Sequence, residues 1–174
     1  MKKTEEKIIR FIDSNKLIEK GERILVAFSG GPDSVFALHF LKKFQNKYKI
    51  EISAVHFNHQ LRGDESDIDE QFSKQFCEKL GVKLFNIMLD VKKLAKAKKL
   101  SIEEAARKLR YQSIEKLCIE KKFDKVVTAH NLSDNTETVL LNLLNGTSAS
   151  GISGIPVRRG KIIRPILSVT KAEI

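Results

Sequence analysis

Short, nearly continuous apolar runs, separated by longer segments with apolar residues every three or four positions, constrain this chain most. Residues 24–28 (ILVAF), 52–57 (ISAVHF), 82–88 (VKLFNIM) and 126–129 (VVTA) read as buried strands, and 162–167 (IIRPIL) is a weaker fifth run interrupted by Pro165. Helical periodicity falls at about 33–44, 65–80, 101–121 and 133–145, preceded by an amphipathic segment near 4–13. Parallel strands need helical crossovers of one hand. The alternation therefore predicts an α/β fold: a Rossmann-like, doubly wound, parallel five-stranded sheet with helices on both faces. Ligands bind such sheets beyond the carboxyl ends of the strands, where the winding reverses. Chemistry is expected just after Phe28, Phe57 and Ala129.

A length of 174 residues fits one domain over 1–174, and 41% hydrophobic residues is the content of an ordinary folded protein. No run approaches the ~18 apolar residues of a membrane span. The start MKKTEEKIIR is charged where a secretory signal needs an apolar block, so a cytoplasmic protein without membrane association is expected. Cys77 and Cys118 lack CxxC spacing, which argues against a disulfide framework, a zinc ribbon or an iron–sulfur site built from this chain. The net charge of +10 suggests an anionic partner such as nucleic acid or nucleotide. Lysine supplies 24 of the 32 cations, however, and solvated lysine faces explain the same number. The stretch 92–99 (KKLAKAKK) reads as such a solvated helical segment, and 146–160 (GTSASGISGIPVRRG) as a mobile loop. Oligomeric state is not legible.

Between the first strand and its helix lie Ser29, Gly30, Gly31, Pro32, Asp33 and Ser34. The glycines permit a tight turn and close approach of backbone N–H groups to an anion, and the helix N-terminus adds unpaired donors. Pro32 suits a first helical position. The hydroxyls of Ser29 and Ser34 would add donors. Asp33 would repel phosphate unless a divalent cation lay between them, which points to magnesium. Neither GxxxxGK[ST] nor GxGxxG occurs here. A plain strand-to-helix turn would use the same residue types. The pattern resembles the PP-loop (SGGxDS) of ATP pyrophosphatases, which implies ATP as substrate and leaves the activated nucleophile open.

Other segments narrow the resemblance. His56-Phe57-Asn58-His59-Gln60-Leu61-Arg62-Gly63 continues into Asp64-Glu65-Ser66; alternation puts His56 and His59 on opposite faces of a strand, against a metal pair. Ser101 and Glu104 form a capping box, and Arg107 and Arg110 share a helix face that reads as solvated on spacing alone. His130, Asp134 and Glu137 follow the fourth strand; Ser133 makes a good N-cap, and the helix dipole favours Asp134 and Glu137 in any case. These segments, with 143–156 and the closing IRPIL and KAEI, are similar in content and order to the catalytic domain of tRNA(Ile)-lysidine synthetases (NHxLRGxES, SxEEAARxLRY, A/G-H-x-x-D-D-x-x-E-T). The chain departs from that pattern at Ser133, which replaces the first aspartate, and at Asn145, which replaces an arginine.

The resemblance implies a carbon–nitrogen ligase. ATP would adenylate the C2 oxygen of the wobble cytidine of an isoleucine tRNA with a CAU anticodon, releasing pyrophosphate, and L-lysine would then displace AMP. Ser29 to Ser34, Phe57 and His130 would hold the nucleotide. Asp33, Asp134, Arg107 and Arg110 would be catalytic, Asp134, Glu137 and Arg62 would meet the substrates, and Asp33 with Asp134 would hold Mg2+. Another PP-loop tRNA-modifying enzyme and a non-catalytic ATP-binding module remain alternatives. The family's C-terminal tRNA-binding domains have no counterpart within these 174 residues, so the chain alone is expected to bind Mg·ATP and modify tRNA poorly.

Overall fold

A computed structural model describes residues 3–59, 64–146 and 153–174. Among the described residues there are six α-helices, α1 (Lys3–Ser14), α2 (Pro32–Tyr48), α3 (Asp64–Lys79), α4 (Val91–Lys98), α5 (Ile102–Glu120) and α6 (Leu132–Leu144), with no strand between α4 and α5. The strands are β1 (Arg23–Ala27), β2 (Glu51–Asn58), β3 (Lys83–Met88), β4 (Lys125–Val127), β5 (Arg158–Arg159) and β6 (Ile162–Ile163). They form one sheet in the order β3-β2-β1-β4-β6-β5, parallel except for the β5–β6 pair.

The sheet thus has six strands among the described residues, not five. The expected run 162–167 contributes only Ile162 and Ile163 to it. Pro165 has no N–H for a ladder, and the Arg164 N–H turns back to the Val157 carbonyl at 3.1 Å, folding a hairpin that adds β5 at the edge.

Alternation along β1 sends Ile24 and Val26 to one face and Leu25 to the other. The first face packs on α1, α2 and Cys77 of α3, through Ile8, Ile12, Leu38 and Leu41; the second packs on α4 and α5, through Val91, Ala105 and Leu117. Burying one Leu or Ile side chain contributes about 1.5–3 kcal/mol. The lysine-rich segment is helical, as expected, and Val91 and Ala95 bury one side of it while Asp90 caps it.

The chain winds from β1 through β2 to β3 on one side, and from β4 to β6 on the other. The reversal lies between β1 and β4. There the two carboxyl ends diverge into different loops and leave a crevice.

One expectation about helix starts is corrected. α6 is capped by Asn131, not Ser133: the Asn131 side chain accepts the Asp134 N–H, and the Asp134 carboxylate accepts the Asn131 N–H. The helix begins one residue before Ser133, whose hydroxyl oxygen accepts the Lys171 N–H at 3.2 Å. In the expected loop, residues 147–152 lie outside the described ones. Its end is pinned: the Ile155 N–H donates to Asn135 Oδ1 at 2.6 Å, and Arg164 donates to the Pro156 carbonyl.

Candidate active site

The crevice holds a cavity of about 530 Å³, walled by the ends of β1, β2 and β4 and by side chains of α3 and α5. It is large enough for a nucleotide.

At its floor the chain leaves β1 and turns. Gly30 takes φ +84°, a left-handed conformation that glycine adopts without strain, and a Cβ there would lie 3.4 Å from the Phe72 ring of α3. Gly31 is extended at the start of α2, Pro32 follows, and among the described residues no side chain caps this helix. Its first N–H groups are therefore left for a ligand, with the positive end of the helix dipole behind them. The serine hydroxyls behave otherwise than expected. Ser34 donates to the Gly31 carbonyl at 2.8 Å and Ser29 donates to Ser34 Oγ at 3.2 Å, so both hydroxyl hydrogens brace the loop.

Asp33 lines the cavity, and among the described residues its Oδ1 is buried without a hydrogen-bond partner. A buried carboxylate oxygen left bare is costly, and a cation would relieve it. Among the described residues no group of three or more His, Cys, Asp or Glu side chains could hold a metal. Mg2+ commonly needs only one or two carboxylates when phosphates complete its shell, and Asp33 fits that pattern. Asp134 fits it less well, because one of its oxygens closes the α6 cap and it is not on the cavity wall.

Of the other expected site residues, Phe57, His130 and Arg110 line the cavity together with Ser29, Gly31, Pro32 and Ser34. Gly30 lies behind the wall, under α3. Arg107 is exposed, with its guanidinium 5.9 Å from the centre of the Tyr111 ring, itself a wall residue. Glu137 is exposed on α6 and off the wall. Arg62 lies outside the described residues.

Two wall histidines are held toward the neutral form. Burial lowers the His130 pKa, Arg164 and then Arg110 and Arg107 lower it further, and Asp134 opposes them; its Nδ1 lies 3.1 Å from the Thr128 hydroxyl. Burial, Arg110 and His56 lower His59 in the same way.

Sequence reasoning missed the α3 wall. Ser66 and Asp69 face the cavity, and Glu70 beside them accepts from the buried Asn58 side chain at 3.0 Å. Their three-residue spacing at the acid-rich start of α3 was the available signal. Tyr111 and Ile114 on α5 complete the apolar part of the wall.

The model of the PP-loop domain family matches residues 1–174. The chain belongs to that family. This PP-loop domain is 42% identical to the tRNA(Ile)-lysidine synthase of Clostridium acetobutylicum over 168 residues, covering 96% of the chain and 36% of the relative. It is also 42% identical to the tRNA(Ile)-lysidine synthase of Chlorobaculum tepidum over 174 residues, covering all of the chain and 53% of the relative. The chain thus spans between about a third and a half of the length of these relatives. In fold it is similar to the U34-tRNA thiolase of Methanococcus maripaludis, with a TM-score of 0.77 and 20% identity over 98% of this chain and 60% of that one. The two cysteines of the present chain are buried in different cores on opposite faces of the sheet, and burial raises both thiol pKa values, that of Cys77 to about 11.

Proposed function

We propose that this PP-loop domain binds Mg·ATP in the cavity and catalyses lysidine formation on the wobble cytidine of an isoleucine tRNA. The observation that carries the ATP reading is the pairing, in one cavity, of an uncapped helix N-terminus with the bare Oδ1 of Asp33. Phosphate answers the first and a phosphate-bound cation the second. The 42% identity to lysidine synthases over nearly the whole chain supports the substrates.

In this mechanism the N–H groups at the start of α2 bind the β- and γ-phosphates and take up the charge that develops as pyrophosphate leaves. Asp33 would hold Mg2+, which when bound would supply further neutralisation of the phosphate charge. Phe57, Tyr111 and Ile114 offer apolar surface to the base and exclude water. Arg110, on the wall, holds the α-phosphate in line for attack by the cytidine C2 oxygen, a positioning task suited to a planar guanidinium. The lysine side chain must lose a proton before its nitrogen can attack. Asp134, through the oxygen not used in the cap, and Glu137, both on α6 outside the cavity wall, would bind the ammonium as lysine approaches, and one of them would take the proton.

The test is the order of release. Pyrophosphate should appear from ATP only when an RNA carrying the CAU anticodon loop is present, and AMP should follow only when lysine is added. Formation of ADP and phosphate, or pyrophosphate release without RNA, would reject the proposal.

A further inference from the structure

The last ladder bond on the loop side of β1 runs from the Phe28 N–H to the Val55 carbonyl at 2.8 Å. The next group, the Phe28 carbonyl, is met by a side chain: His56 Nδ1 lies 3.0 Å from it. The same Nδ1 is 3.1 Å from Ser73 Oγ of α3. His56 is 4% exposed and Ser73 fully buried. A carbonyl oxygen only accepts, so the Nδ1–H donates to the Phe28 carbonyl, with Ser73 Oγ within reach of the same nitrogen.

This contact joins three elements immediately below the loop. Phe28 is the residue before Ser29, and its ring stacks on Phe76 of α3 at 5.6 Å. Gly30, one residue further, lies under Phe72 and Ser73; a Cβ there would be 3.6 Å from Ser73 Oγ. The loop direction therefore depends on where the Phe28 carbonyl points and on how closely α3 approaches. His56 sets both. We infer that His56, with Ser73, is a positioning pair that fixes the phosphate-binding conformation of the Ser29–Gly30–Gly31 turn, and so governs preference for a triphosphate over a monophosphate. This inference rests on reading the loop as the phosphate site.

The pair acts through the loop. Its loss should weaken ligands with β- and γ-phosphates more than those without them. Four proteins test it by calorimetry with Mg·ATP and with AMP: the wild type, Ser73→Ala, His56→Leu and His56→Asn. The asparagine amide can donate to the Phe28 carbonyl from about the place of Nδ1, and leucine cannot. Ser73→Ala and His56→Leu should each lose about tenfold in ATP affinity, the scale of one buried hydrogen bond, with AMP affinity unchanged, and His56→Asn should recover most of the loss. Should His56→Leu fail to fold, Ser73→Ala carries the comparison. A 15N spectrum should show His56 Nδ1 carrying a hydrogen. Parallel loss of ATP and AMP affinity, or an asparagine variant as weak as the leucine one, would overturn the positioning role and leave the ATP site standing. A wild-type protein that binds AMP as tightly as ATP would overturn the phosphate reading of the loop and this inference with it.

Discussion

Asn131 and Asp134 cap each other across the first turn of α6: each side chain accepts the backbone N–H of the other, at 3.0 and 2.9 Å. The proposed lysine-binding carboxylate is thus also a structural group. The two roles separate by substitution. Asp134→Ala should cost about 0.5–1.5 kcal/mol in chemical denaturation, because the Asn131 N–H loses its acceptor. Asp134→Asn keeps an accepting oxygen and should be near wild type in stability, yet lower lysine-dependent AMP release by about 10²-fold. Ser133→Ala, which loses one exposed contact to Lys171, should stay within about 0.5 kcal/mol and retain activity.

Asp33→Asn removes the charge from the bare oxygen at little change in volume, so the fold should persist while Mg·ATP binds about tenfold more weakly. In the wild type, chelating Mg2+ should weaken ATP binding; in Asp33→Asn the same treatment should change little. Calorimetry in magnesium and in chelator checks both.

Arg110 and Arg107 are neighbours on α5 with unequal positions. Arg110 faces the cavity, while Arg107 lies over Tyr111 at its edge. Arg110→Lys keeps the charge but loses the fork and should reduce RNA-dependent pyrophosphate release by about tenfold or more. Arg107→Lys loses an exposed stacking contact worth about 0.5–1 kcal/mol and should reduce it less. Equal effects would contradict the placement.

The fold was readable because buried strands leave continuous apolar runs and crossover helices leave a 3.6-residue period. β5 escaped because Arg158 and Arg159 are exposed and carry no apolar signal; only the return of the chain at Arg164 makes them a strand. The α6 cap was displaced from Ser133 to Asn131 because several residues in Asn131-Leu132-Ser133-Asp134 can cap, and which one does is decided by the reciprocal bond with Asp134. Within the site, the Ser29 to Ser34 motif led to the loop, but hydroxyls that look like ligand donors in a sequence turn inward when a carbonyl lies one helical turn away. The role of His56 depends on Phe28 and Ser73, 28 and 17 residues distant, and no local pattern encodes it.

His59 and His130 give a stability test. Both folded-state pKa values are lowered, so below about pH 6.5 the unfolded chain binds protons that the folded chain resists. Their contribution is fully present above that pH and is lost as pH falls through the folded values. Glu173, held down to about 2 chiefly by the Thr170 N–H and Lys7, acts with the same sign at lower pH. Urea denaturation should show lower stability at pH 5 than at pH 7, and His130→Gln should flatten the difference. A slope unchanged by His130→Gln would remove that histidine from the account.

Mass spectrometry of the RNA decides whether this PP-loop domain joins lysine to cytidine with consumption of ATP, as proposed. The chain in excess is incubated with an isoleucine tRNA bearing a CAU anticodon, Mg·ATP and lysine. The expected result is a gain of one lysine less one water on the wobble cytidine, dependent on both ATP and lysine and absent in Asp33→Asn. An RNA whose mass does not change, or one that gains sulfur when a sulfur donor is supplied, would contradict it.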